Sequence, residues 1–406
     1  MSEMAAAQPR FVCVFRAASA VRVRPDESIM LNFTDADVVT QVVVRTRYEP
    51  VASGVIPREL WVEIVTSGQD LTDAIDKAHQ RAASVVAILS LIVNAGTDNL
   101  VLDRAFHASP ERDDHEYLQN MILDETGLPK ASRIVTDRFP PKILTALSTH
   151  ARQDRLLRAI GQYELALRHW VPGHETLALA YLYMAMETLT PVATDAALAA
   201  HGGNRSALCK AWNVLPKTCP KCGEVTGIGN LDAEVRRRVL FEGNDALYKD
   251  AKRASDGFEH GFASFDDVHS SSLTHRNELG RLVRTAIIDA LSLEPEDRDK
   301  LLGEPLSIPL PAVRIAKYVR ATLMGEPTIW AMEGEAYPGF RLESSITAVE
   351  TDAVGRVTMQ PSESLTPLLA PGVVASDLRL EMWAPPGANL APPEQTQTPL
   401  APPQME

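Results

Sequence analysis

The spacing of apolar positions along this chain changes period several times, and the changes divide it. Over residues 1–65 the apolar positions form short β-branched or aromatic runs: Phe11-Val12-Cys13-Val14-Phe15, residues 38–46, and Leu60-Trp61-Val62-Glu63-Ile64-Val65. Such runs read as strands, and Pro25, Pro50 and Pro57 stand between them where turns are expected. Asp70 with Asp73 three positions on resembles a capping box, and it opens a long, largely buried helix over residues 74–93. Residues 94–141 are mixed, with breaks at Ser109-Pro110, Gly127 to Pro129 and Pro140-Pro141. Together these predict an N-terminal α+β domain over residues 1–145.

The period then becomes helical. Leu156, Ile160, Tyr163, Leu167 and Trp170 step by four and three, as do Leu177, Tyr181, Met184 and Thr188 after Pro172-Gly173, so each set shares one helix face. Shorter helical patches cover residues 198–212, 231–241 and 245–253. A last helix over residues 273–293 turns Leu279, Val283, Ala286, Ile287, Ala290 and Leu291 inward, and Pro295 is expected to stop it. The spacing predicts a bundle of four main helices over residues 146–295 with a polar insertion at 209–230. Strand patterns return at 317–323, 340–349, 355–359 and 377–383, giving a small β-rich segment over residues 305–383. Residues 384–406 repeat Ala-Pro-Pro three times with Gln and Thr between, a composition expected to stay disordered or polyproline-like. That tail is either a Pro-rich ligand for a partner domain or plainly solvated.

The fold class expected is thus α+β and multi-domain, in line with 406 residues. A net charge of −13 disfavours a broad, non-specific nucleic-acid surface and leaves room for a local site on RNA. The best apolar run, residues 85–93, is about half the ~18–20 residues a membrane span needs, and residues 1–10 lack a signal-peptide core. Four cysteines do not make a disulfide scaffold, so a cytoplasmic chain with reduced thiols is expected. His79, His107, His115 and His150 show no metal-ligand spacing and read as surface or satisfied core residues.

Two constellations carry candidate chemistry. Cys219-Pro220-Lys221-Cys222-Gly223 is a knuckle in which two thiolates can meet one ion, structural Zn2+ being the expectation. Cys209 is the candidate third ligand and His201 the fourth, with Asp232 or a distant residue as alternatives. Unligated thiols and a redox pair are the rival readings, the latter lacking its usual βαβ setting. Farther on, Arg253 and His260 stand seven positions apart, where a helix is expected to give way to a Gly-punctuated loop. An arginine grips phosphate through a planar fork of donors, and a histidine moves protons near neutral pH. Arg236-Arg237-Arg238 is either an RNA-facing surface or a solvated helix face.

The helix containing Tyr181 to Leu189, the stretch 247–261 and the helix through Arg276-Asn277 resemble, in that order, the HEPN superfamily, helical bundles marked by Arg, four to six residues, then His. The resemblance covers residues 150–295 and includes the glycine that follows the histidine. It implies an RNA-binding protein or metal-independent endoribonuclease of antiviral defence or stress, working as a homodimer. On that resemblance His260 takes the acid–base role, Arg253 stabilises charge on the phosphate, and Glu187 orients Arg253. The polar residue usual directly after the arginine is Ala254 here, and Asp256 follows two residues later as the polar candidate. The alternative is a non-catalytic interaction or sensor module whose bundle mediates dimerisation.

Overall fold

The computed structural model describes residues 9–35, 38–51, 54–108, 116–120, 132–171, 173–214, 216–218, 221, 225–228, 231–261, 263–304, 316–325, 331–334, 338–351 and 357–383. The fold is α+β and divides into two compact units: residues 1–49 with 57–312, and residues 50–56 with 313–406.

The first unit begins with strands β1 (Arg10–Ala17), β2 (Val21–Arg22), β3 (Ile29–Asp35), β4 (Val38–Val51) and β5 (Gly54–Ser67). Helix α1 (Leu71–Val93), β6 (Val101–His107), β7 (Tyr117–Gln119) and β8 (Arg133–Ile134) follow. A six-stranded sheet runs β3-β4-β5-β1-β6-β7, while β2 pairs with β8. Strand β1 is antiparallel to both neighbours, with Cys13 opposite Ile64 and Ala105. Phe11, Cys13 and Phe15, alternate residues of β1 and hence on one face, are all buried. Pro50 and Pro57, expected to separate strands, instead lie within β4 and β5.

Helix α1 begins as the sequence suggests, with the Asp70 side chain accepting from the Asp73 amide at 2.8 Å. Its last nine residues are all buried. It ends at Asn94 in the left-handed region, φ 50°, and the Asn94 side chain accepts from the Tyr163 hydroxyl at 2.7 Å. The free carbonyls of this buried helix end need donors. Arg284 gives Nε and Nη2 to Leu91 O and Nη2 to Ile92 O, and Arg133 Nη1 reaches Val93 O and Asn94 O. The Arg284 and Tyr163 bonds cross the boundary expected near residue 145, because α1 carries apolar surface on more than one side and needs both the sheet and the bundle to cover it. The two segments accordingly fall in one unit.

The rest of this unit is mostly helical: α2 (Phe139–Thr149), α3 (Gln153–Arg168), α4 (Glu175–Ala200), α5 (Arg205–Ala211), β9 (Pro216–Thr218), β10 (Val225–Ile228) and α6 (Leu231–Val235). A π-helical turn (Arg236–Leu240), α7 (Asp245–His260), α8 (Phe265–Ala290) and α9 (Pro295–Leu302) complete it. Helices α3, α4, α7 and α8 pack as a four-helix bundle. Prolines expected as breaks open helices instead: Pro140 and Pro141 lie in the first turn of α2, and Pro295 begins α9. A proline there gives up only an amide that the helix leaves unpaired.

In the second unit β11 (Ala316–Met324) pairs with β14 (Val374–Trp383), and β12 (Gly339–Thr351) with β13 (Val357–Leu368), both antiparallel. The expected strands are present with shifted bounds: the one expected at 355–359 runs over Val357–Leu368, and the other three are longer than expected. The Pro-rich tail from residue 384 lies outside the described residues.

Candidate functional site on helix α7

Helix α7 is set by its caps and one apolar edge. Asn244 accepts from the Leu247 amide at 3.1 Å. Leu247, Ala251 and Ala254, spaced by four and three, are buried where α7 packs on α4 and α8. The helix does not break after Arg253 as expected. It continues to His260 and stops at Gly261, whose φ of 67° is the left-handed conformation glycine adopts freely. Position 257 has no room for a side chain: a Cβ there would lie 2.7 Å from the Ala263 Cβ.

Seven residues at 100° each bring a helix to within 20° of two full turns, about 10.5 Å along the axis. Arg253 and His260 therefore share one exposed face of α7, opposite the buried edge. Among the described residues neither side chain has a hydrogen bond or ion pair. The acids expected near them are engaged elsewhere. Asp256 is paired with Lys252 one turn back, and Glu187 accepts from Arg236 Nη1 at 2.6 Å rather than orienting Arg253.

No family model, curated protein or solved structure matches this chain.

Arg236 was not legible as a distinct residue within the arginine run. Arg236, Arg237 and Arg238 open the π-helical turn, and Arg236 takes a different partner from the other two. Arg237 donates to Glu234 at 2.6 Å and Asp245 at 2.8 Å, and Arg238 to Glu234 and the Trp212 carbonyl at 2.8 and 2.9 Å. Arg236 turns inward toward Tyr183, whose hydroxyl is pushed far above its usual range by burial, partly offset by the Arg236 charge. The Tyr183 hydroxyl and Arg236 Nε are buried without hydrogen-bond partners among the described residues.

The metal candidates separate. Cys219 and Cys222 lie outside the described residues, flanked in sequence by the antiparallel pair β9 and β10. Cys209 is 8% exposed in an apolar cluster with Leu208, Leu231 and Val235, the surroundings of a packed thiol as much as of a ligand. His201 has its Nδ1 2.9 Å from Ala197 O, which leaves Nε2 for a metal. Among the described residues no three His, Cys, Asp or Glu side chains converge as a metal site, and no helix is long and apolar enough to cross a membrane.

Proposed function

We propose that this protein is a HEPN-like RNA-binding protein, with metal-independent RNA cleavage as its activity and antiviral defence or stress as its setting. The observation that carries the reading is the shared, exposed face of Arg253 and His260 on a helix held rigidly in a four-helix bundle. A phosphodiester bound where two such faces meet across the homodimer finds the arginine fork of one chain, which stabilises charge on the phosphate, and His260 of the other, which moves the proton of the ribose hydroxyl or the leaving oxygen. Asp256 keeps its role only by leaving Lys252. Zinc at Cys219 and Cys222, completed by Cys209 and His201, is proposed as a structural ion, to be checked by the metal content of the purified chain.

A second reading is favoured by the acids. With Glu187 committed to Arg236, nothing described orients Arg253 for catalysis, and Phe258 and Phe265, either side of His260 in sequence, are 45% and 68% exposed. Exposed aromatics of this kind suit a homodimer contact as well as base stacking. Incubating total and transfer RNA with the purified chain in EDTA, beside Arg253→Ala and His260→Ala, separates the two. Cleavage by wild type alone, with all three folded by circular dichroism, is the expected result. No cleavage by folded wild type leaves the interaction module.

A further inference from the structure

A histidine stands at each end of the turn between α3 and α4: His169 is the C-cap of α3 and His174 the N-cap of α4. Their Nδ1 atoms face each other at 3.4 Å. Hydrogen bonds from N–H groups are most often shorter, about 2.9–3.0 Å between heavy atoms. Two imidazole nitrogens bound to one tetrahedral ion, each about 2.0–2.1 Å from it, stand about 3.3–3.4 Å apart. The spacing of the pair is that of two ligands on one ion.

Both rings are held in place before any ion arrives. The His169 ring lies on Tyr181 with 13° between the planes and 5.5 Å between centroids, and its backbone N–H donates to Leu165 O at 3.1 Å. The His174 N–H donates to Val171 O at 3.1 Å. Burial, with the nearby His174 and Arg168, lowers the proton affinity of His169 against the opposing pull of Asp98, which favours the neutral ring a metal requires. The surrounding charges do not repel a cation. Arg168 is paired with Glu164 at 2.8 Å, Glu175 stands 3.8 Å from Arg276 and 3.9 Å from His269, and Asp98 adds a negative charge. The negative end of the α3 dipole offsets the positive end of α4.

We propose that His169 and His174 bind one divalent transition-metal ion of the kind imidazole favours, zinc, nickel or copper, through both Nδ1 atoms. Each ring then keeps its proton on Nε2. Among the described residues no third His, Cys, Asp or Glu side chain joins them, so water fills the other positions, and the ion ties the end of α3 to the start of α4. The pair shares no residue with the Cys219 knuckle or with Arg253 and His260, so it is tested without reference to RNA cleavage.

The test titrates the full chain, purified without chelator, with Ni2+ in a calorimeter. Wild type is expected to bind one equivalent that His169→Ala and His174→Ala each hold at least tenfold more weakly, since losing even the hydrogen-bond partner of a metal ligand costs about 10–100-fold. His174 is exposed, so His174→Ala is expected to keep the wild-type melting temperature without metal and to lose the rise that Ni2+ gives wild type. His201→Ala, which removes the candidate fourth ligand of the knuckle, is expected to bind that equivalent as wild type does. Absence of the equivalent from wild type overturns the site, as does its survival in a folded His169→Ala or His174→Ala. Its loss from a folded His201→Ala also overturns the site, because the ion then belongs to the knuckle.

Discussion

Two glycines in the interiors of bundle helices should respond to the same substitution with opposite signs. Gly161→Ala on α3 gains the helix-interior preference of alanine, about 0.5–1 kcal/mol, and its methyl meets nothing within 4 Å. Gly280→Ala on α8 gains the same term, but its Cβ would stand 2.9 Å from Trp170 Cη2, 3.4 Å from Cζ3 and 3.8 Å from Leu182 Cδ1. The indole cannot simply move away, being 7% exposed and covered by the Arg276 guanidinium 5.3 Å from its ring centre. Overpacking of this kind costs about 1–3 kcal/mol, which leaves Gly280→Ala less stable than wild type by up to about 2.5 kcal/mol. Urea unfolding followed by helical circular dichroism reads both midpoints, and the two variants should straddle wild type. If Gly280→Ala unfolds at or above the midpoint of Gly161→Ala, the reasoning from close approach is wrong.

Two further outcomes follow from buried charge. Arg284→Ala strips the donors from the end of α1 and should cost about 2–4 kcal/mol by the same unfolding assay, since carbonyls left buried without donors are expensive; a change under 1 kcal/mol would show that water replaces the arginine. Burial, opposed by Arg168, holds the Glu164 carboxyl above its ordinary value. The folded chain therefore binds that proton more tightly than the unfolded one. Stability from this group is full below about pH 4.3 and declines as pH rises through the folded value, and Glu164→Gln should flatten that part of the stability–pH curve, while an unchanged slope would assign it to other groups.

Periodicity carried most of the architecture, and its failures have local causes. Leu156, Ile160, Tyr163 and Leu167 are buried as their spacing required, because a helix with one apolar edge has one way to lie on a core. Prolines misled for the opposite reason: Pro140, Pro141 and Pro295 punctuate equally well as stops or as first helical residues, and only the following pattern distinguishes them. The extent of α7 was hidden by Gly257, which reads as a breaker but is required by the close approach of Ala263. The partner of Glu187 was illegible in principle. The π-helical turn that delivers Arg236 leaves no periodic trace, and an arginine within a run of three gives no sign of which one points inward.

If the proposed RNA cleavage holds, the geometry of α7 also constrains how Arg253 and His260 would act together. Side chains seven apart on one helix point the same way from anchors about 10.5 Å apart, and both lean toward the helix N-terminus rather than toward each other. One helix alone therefore brings them poorly onto a single phosphate. Two copies of α7 facing each other across a twofold axis place Arg253 of one chain beside His260 of the other, giving two identical composite sites. Mixing Arg253→Ala and His260→Ala chains after unfolding and refolding distinguishes the arrangements. A composite site leaves one intact site in each mixed dimer, and random pairing should restore about a quarter of wild-type cleavage. If both residues act from one chain, every site in the mixture lacks one of them and no activity returns. Recovery must also disappear when the mixture is diluted below the dimer's dissociation constant, and recovery independent of concentration would refute the shared site.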